Sequence, residues 1–296
     1  MLVEKRRPHN RSEQMIFNNY LTMKHILTLK NQDLTKEIVF QLHRQISDGT
    51  LDIPDGAGRF RRPVEDINVS DIDGTVIHKP PPAEELPMRM QAMCDFANGK
   101  TPEGFVHPVI RGIVLHFWLA YDHPFVDGNG RTARALFYWM MLRSRYWMFE
   151  FISISQFLRK APVKYATAFL YTESDENDLT YFIIHQVEVI RRALKALHDY
   201  VARKSFETRA SLASLHHFPE LNHRQQALIA HALRHPGFAY NIAGHGTRNA
   251  VVYQTARTDL LQLAELGLLE QGKAGRALVF FAPKDLATRL QSRAIS

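Results

Sequence analysis

Three consecutive prolines, Pro80, Pro81 and Pro82, end a Gly-, Pro- and Asp-rich stretch that breaks an otherwise helical sequence. Before the break, apolar residues recur at helical spacing over Ser12–Leu29 (Met15, Ile16, Tyr20, Met23, Leu27) and over Leu34–Asp48 (Ile38, Val39, Leu42, Ile46). Within residues 49–82, two short β-branched runs, Ile67–Val69 and Thr75–His78, flank Asp73-Gly74, a strong hairpin turn signal. The prolines then forbid any continuation of the ladder. A lone hairpin is not stable in water, so this one must rest on the helices around it.

Helical spacing resumes at Glu84–Asn98, Pro108–Tyr121 and Thr132–Arg145, then at Ser155–Leu158, Ala161–Tyr171 and Leu179–Lys204. Residues 205–220 are weaker in pattern and read as a connector. From Leu221 the pattern changes: a helix over Asn222–His235, a short helix, a strong helix over Val251–Leu266 and a strand–turn–strand over 268–282. Ala256, Leu260, Leu263 and Leu266 fall on the inner face of the strong helix. That order predicts a small winged helix-turn-helix. The expected fold is therefore mainly α: a helical bundle with a β-hairpin flap over residues 1–204, then the winged helix over 221–296.

Composition excludes several classes. Cys94 is the single cysteine, so there is no disulfide framework and no cysteine zinc site. Its spacing to Leu86, Met90, Met93 and Ala97 places it in the core rather than in catalysis. The start, MLVEKRRPHN, is charged with no apolar run behind it. The apolar runs Ile113–Tyr121 and Ala135–Leu142 fall short of the ~20 residues of a membrane span. A cytoplasmic protein without membrane contact is expected. The excess of 37 Lys+Arg over 30 Asp+Glu, +7, suits a polyanionic partner without choosing among them.

One segment concentrates chemistry: His123-Pro124-Phe125-Val126-Asp127-Gly128-Asn129-Gly130-Arg131-Thr132-Ala133-Arg134. It lies between two apolar helices and so is a loop opening into a helix. Gly128 and Gly130 allow successive N–H groups to converge, and the helix N-terminus adds its positive end, which makes an anion site. Arg131 and Arg134, one turn apart, can bracket more than one phosphate. Asp127 offers a hard oxygen of the kind Mg²⁺ takes alongside phosphate oxygens and waters. His123 is the group whose ordinary pKa suits removal of a proton near neutrality. Phe125 pins the loop to the core. Singly, a GNG is a turn and two arginines at i, i+3 are a solvated face. Together within twelve residues they point to phosphate chemistry.

His123–Arg134 matches in full the motif HxFx(D/E)GNGRxxR and resembles the Fic family of protein adenylyltransferases. The resemblance covers about Ser12–Lys204, and the hairpin sits where such proteins carry a target-binding flap. Tyr253–Leu269 is similar to the winged helix appended to many bacterial members. The resemblance implies transfer of AMP from ATP to a Ser, Thr or Tyr hydroxyl of a target protein, with release of pyrophosphate. His123 would be the general base, and Asp127 would hold Mg²⁺ between the α- and β-phosphates. Gly128, Asn129 and Gly130 would form the anion hole. Arg131 would contact the β/γ-phosphates and Arg134 the γ-phosphate. Tyr165 and the hairpin are candidates for the adenosine pocket, and the target would lie along the hairpin, residues 67–78.

Most relatives carry an inhibitory motif, (S/T)xxxE(G/N), whose Glu pairs with the second motif arginine. None is expected here: eleven residues precede Ser12, and Glu4 is followed by Lys5. The expectation is a shortened form, or control by a partner or oligomer. Three alternatives stay open: another nucleotide donor, removal of AMP, and a DNA-binding regulator touching phosphates through Arg248, Arg257, Lys273 and Arg276. A homodimer and a protein partner for the winged helix also stay open. His216-His217 lacks companions at metal-ligand spacing.

Overall fold

The computed structural model describes residues 7–65, 67–70, 73–214, 218, 220–274 and 277–293. Glu4, Lys5, His216, His217 and Arg276 lie outside them. The chain divides into two compact units, Met1–Leu197 and His198–Ser296.

The first unit begins with α1 (Arg11–Leu29) and α2 (Lys36–Ser47). Asn10 and Thr35 cap them, their side chains accepting from the Glu13 and Ile38 N–H groups. Ile38, Val39, Leu42 and Ile46 are buried as their spacing requires, and so is His43, which the pattern did not mark. A 3₁₀ turn at Pro54–Gly56 leads to β1 (Val69–Ser70) and β2 (Val76–His78), an antiparallel pair. Both strands are shorter than expected. The register pairs Val69 with His78 and Ser70 with Val76, with an irregularity between, so residues 73–75 lie in the connection. Gly74 supplies the positive φ of +81° inside it.

After the prolines come α3 (Leu86–Ala97), α4 (Pro108–Asp122) and α5 (Asn129–Arg143). Cys94 is buried on α3, and burial pushes its thiol up to about 12, as a core residue requires. Helix α5 is the axis of the unit: Ala133, Leu136, Phe137, Trp139, Met140 and Met141 are all buried on it. Gly112 lets α4 approach closely, since a Cβ there would meet Met141 Cε at 2.7 Å. Helices α6 (Ile154–Lys160), α7 (Pro162–Ser174) and α8 (Thr180–Ser214) follow. Helix α8 runs ten residues past the expected end at Lys204, so most of the expected connector is helical. Among the described residues, no helix is long and apolar enough to cross a membrane.

The second unit contains α9 (His223–Arg234), β3 (Ala239–Asn241), α10 (Ile242–Asn249), α11 (Tyr253–Glu265), β4 (Glu270–Ala274), β5 (Ala277–Phe281) and α12 (Leu286–Arg293). The sheet is antiparallel in the order β3-β5-β4. Strand β3 and helix α12 were not foreseen. Three residues are too few for an alternating pattern to register. Leu228, Ile229, Leu260, Leu263 and Phe280 form the core.

A buried carboxylate ties this unit together. Asp259 of α11 accepts from Arg224 through both oxygens at 2.7 and 3.0 Å, from Asn222 at 2.8 Å, and meets His245 Nε2 at 3.1 Å. Burial opposes its charge, but these hydrogen bonds together keep its pKa below the usual range. Asp259→Ala should therefore cost at least ~2 kcal/mol. The full ~3–5 kcal/mol of a dry pair is not reached, because Arg224 keeps a fifth of its side chain in water. Amide hydrogen exchange in α9 and α11 reads this loss, and unchanged protection would contradict it.

Candidate active site

The α4–α5 turn is held in an unfavourable backbone shape by three tethers. The first acts on His123, which ends α4 at φ +43°, a left-handed conformation uncommon for a residue with a Cβ. Buried Arg61 fixes it: its N–H donates to the Pro124 carbonyl at 2.8 Å and its Nε to the His123 carbonyl at 2.9 Å. Its Nη2 donates to the Pro81 carbonyl, so the proline run after the flap is stitched to the α4–α5 turn.

The second tether is Asn129. Its side-chain amide accepts from the Phe125 N–H at 2.9 Å and donates to the Phe125 carbonyl at 2.7 Å, closing residues 125–129 into a ring. The third is His43 of α2. Its ring stacks on Phe125 with centroids 3.7 Å apart and planes 9° apart. Nε2 donates to the Asp127 carbonyl at 2.8 Å, and Nδ1 accepts from the Gly58 N–H at 2.9 Å. Burial pushes this imidazole down to about 4, so it stays neutral and keeps both bonds. Gly128 is required twice: its φ is +84°, and a Cβ would meet His43 Nε2 at 3.2 Å.

The tethers expose two kinds of group. His123 Nδ1 lies 3.0 Å from the Ala120 carbonyl. A carbonyl only accepts, so Nδ1 carries the proton and Nε2 keeps its lone pair. Burial lowers the pKa of His123, helped by the nearby His78 and Arg61, which keeps it neutral. Beyond the ring, the first turn of α5 presents the N–H groups of Asn129, Gly130 and Arg131, with no side-chain cap. The Gly128 N–H is already taken by the Asp127 carboxylate. Of the expected anion hole, the backbone of Asn129 and Gly130 is open and that of Gly128 is occupied.

The two motif arginines differ. Arg131 Nη1 donates to Thr50 Oγ1 at 2.9 Å and the Ile46 carbonyl at 3.2 Å, and Nη2 reaches Asp127 Oδ2 at 3.0 Å. Arg11 stands 3.9 Å from the same oxygen. Arg134 has no carboxylate partner among the described residues. Asp127 is half exposed and offers one hard carboxylate, which suits Mg²⁺ with phosphate oxygens as its other ligands. Among the described residues no cluster of three carboxylate, His or Cys groups could hold a metal by itself.

A mainly apolar cavity of ≈ 270 Å³ opens beside His123 and Gly130, walled by Ile77 and His78 of the flap and by Tyr165, Phe169 and Glu173 of α7. Tyr165 thus lines a cavity at the site, as does the hairpin. Its hydroxyl is 2.9 Å from Nε2 of the buried His116. His78 clips the flap down: Nε2 donates to the Tyr121 carbonyl at 2.7 Å, and Nδ1 meets Glu173 Oε2 at 2.8 Å.

His43, Arg61, His78 and Glu173 were not singled out in the sequence. The spacing of the inhibitory motif does occur, at Thr172–Asn177, where none was expected. Thr172 is buried in α7, however, and Glu176 lies past the helix end at φ +51°, exposed. It sits in a turn, not on an inhibitory helix.

Residues 33–141 match the model of the Fic/DOC family. Two curated relatives are each named Protein adenylyltransferase Fic. That of Nematostella vectensis is 36% identical over 118 residues, 40% of this chain and 25% of the relative. That of Drosophila willistoni is 34% identical over 128 residues, 43% of this chain and 24% of the relative. The chain thus spans about a quarter of the length of these relatives. A crystal structure of a Fic family protein from Desulfovibrio desulfuricans G20 aligns over 96% of this chain and 79% of its own, with a TM-score of 0.56 and 19% identity, a likeness of fold. The tethered turn, α5 up to Met141 and the elements from α2 onward lie within the stretch that matches the Fic/DOC family model.

The flap clip should respond to pH. Burial works against a charged His78, but Glu173 and the Tyr121 carbonyl overcome it and raise the pKa. A raised pKa gives stability that is complete below the unfolded value, about 6.5. It is lost as pH rises through the folded value above that. Hydrogen exchange at Val76–His78, corrected for intrinsic rates, should show protection falling with rising pH, and falling at lower pH in Glu173→Gln. Protection independent of pH would contradict the clip.

Proposed function

We propose that this chain is a protein adenylyltransferase, transferring AMP from ATP to a Ser, Thr or Tyr hydroxyl of a target protein. One observation carries the reading: the His123 imidazole has its proton pinned on Nδ1 and its Nε2 lone pair available, beside a helix N-terminus with open N–H groups and an apolar cavity. In the reaction, Nε2 takes the hydroxyl proton and the oxygen attacks the α-phosphorus. The bond to the α,β-bridging oxygen breaks, and pyrophosphate leaves with the electron pair. The N–H groups of Asn129 and Gly130 face developing phosphate charge without reorganising, since the Asn129–Phe125 ring already holds them. Mg²⁺, when bound, would be held by Asp127 and would neutralise phosphate charge, with Arg131 and Arg11 yielding Oδ2. The apolar cavity suits a nucleobase between the flap and α7. An extended target segment would pair along the flap, where Val76 is exposed.

For the second unit we propose a winged helix-turn-helix, supported by α9, α10 and α11 followed by the β4–β5 pair. Arg248, Arg257 and Lys273 are exposed on it, which favours a polyanionic or acidic partner. A salt-dependent shift of duplex DNA separates a nucleic-acid partner from a protein one.

His123→Ala should lower transfer by about 10²–10⁴-fold while ATP binding survives, because the base touches the hydroxyl and not the phosphates. Labelling from α-labelled ATP in a lysate measures transfer, and near-wild-type labelling by the variant would refute the assignment. Asp127→Ala should remove the Mg²⁺ dependence together with activity. Unchanged Mg²⁺-dependent turnover would place the metal elsewhere.

A further inference from the structure

A second cavity, ≈ 480 Å³, shares Tyr165 with the first and is lined by Arg134, Arg159, Ser153, Ser155 and Gln156, with Ile16, Leu158 and Pro162 as its apolar wall. It adjoins the phosphate nest, since a Cβ on Gly130 would stand 3.4 Å from Arg134 Nη1. Its electrostatics are one-sided. Arg131 faces the Asp127 carboxylate, but neither Arg134 nor Arg159 has a carboxylate partner among the described residues. Arg134 hydrogen-bonds the Tyr165 hydroxyl, and its positive charge acts on both Tyr165 and Tyr138. The charge felt by His116 comes from Arg134 and His185. Two uncompensated guanidinium groups, two serine hydroxyls and a glutamine amide in one open cavity form a donor-rich surface that a multiply charged phosphate anion satisfies.

We infer that this cavity is the seat of the terminal phosphate of the nucleotide and then of the leaving pyrophosphate, with Arg159 of α6 as a second phosphate clamp opposite Arg134. This rests on the reading of the site as a nucleotide-transfer centre, and it assigns to Arg159 a role that the motif does not contain. Arg159 makes the site selective for length: a triphosphate reaches it and a monophosphate held at the nest does not.

The test is isothermal titration of the full chain carrying His123→Ala, whose transfer is expected to be slowed about 10²–10⁴-fold. Magnesium pyrophosphate, ATP and AMP serve as separate probes, with Arg159→Gln or Arg159→Lys added to the background. Arg159→Gln should weaken pyrophosphate and ATP by about tenfold or more, the worth of a charge-assisted hydrogen bond, and leave AMP within about twofold. Arg159→Lys, which keeps the charge but not the fork, should fall between. Pyrophosphate and ATP binding unchanged in Arg159→Gln would overturn the assignment. Arg159-dependent binding of pyrophosphate without binding of ATP or AMP would uphold the anion site while removing the transfer reading. Binding of no probe would remove both.

Discussion

Two hydrogen bonds between the Asn129 side chain and the backbone of Phe125 hold the site together. They close the loop before α5 begins, and the open N–H groups of the first turn, the direction of Asp127 and the approach of His123 follow from that closure. His43 secures the ring from below by stacking on Phe125 and holding the Asp127 carbonyl. Arg61 secures it from the side through His123 and Pro124. Each tether is a buried polar group with its bonds satisfied, the condition under which such groups rigidify rather than weaken a core. The left-handed backbone of His123 persists because its surroundings over-determine it.

The charges are distributed to the same end. Arg131 is anchored by Thr50 and Ile46 at the end of α2 and paired with Asp127, so the loop's own carboxylate is neutralised before any ligand arrives. Among the described residues, Arg134 has no acidic partner beside the cavity walled by Tyr165. His123 and His43 are both kept neutral by burial, but with opposite consequences. His43 has both ring nitrogens engaged and serves as a strut. His123 has one engaged and keeps a lone pair for chemistry.

The helices of the first unit were legible because their apolar spacing is long and regular. The turn signals around Gly74 and the proline run located the flap. The twelve-residue motif was legible as chemistry because it is contiguous. What escaped are residues that act on it from a distance. His43 lies 84 positions from the carbonyl it holds, and Glu173 lies 95 positions from His78. No local pattern marks such a pair, and a buried histidine on an apolar helix face looks like any core-facing polar residue. Asn129 has a second part that its place in the motif does not reveal: its side chain closes the loop onto Phe125 while its backbone N–H stays open. Strand β3 escaped through its brevity, and the end of α8 through the absence of a breaker after Lys204.

The central claim is that the tethered turn directs attack at the α-phosphorus rather than at the γ-phosphorus. It is tested most directly by incubating the chain and Mg²⁺ with a lysate and ATP labelled at either position, with mass spectrometry of the modified proteins. Label should be retained from α-labelled ATP and not from γ-labelled ATP, on a Ser, Thr or Tyr carrying an adenosine monophosphate adduct, with pyrophosphate formed in equal amount. Label retained from γ-labelled ATP, or an adduct with the mass of a phosphate alone, would contradict the account.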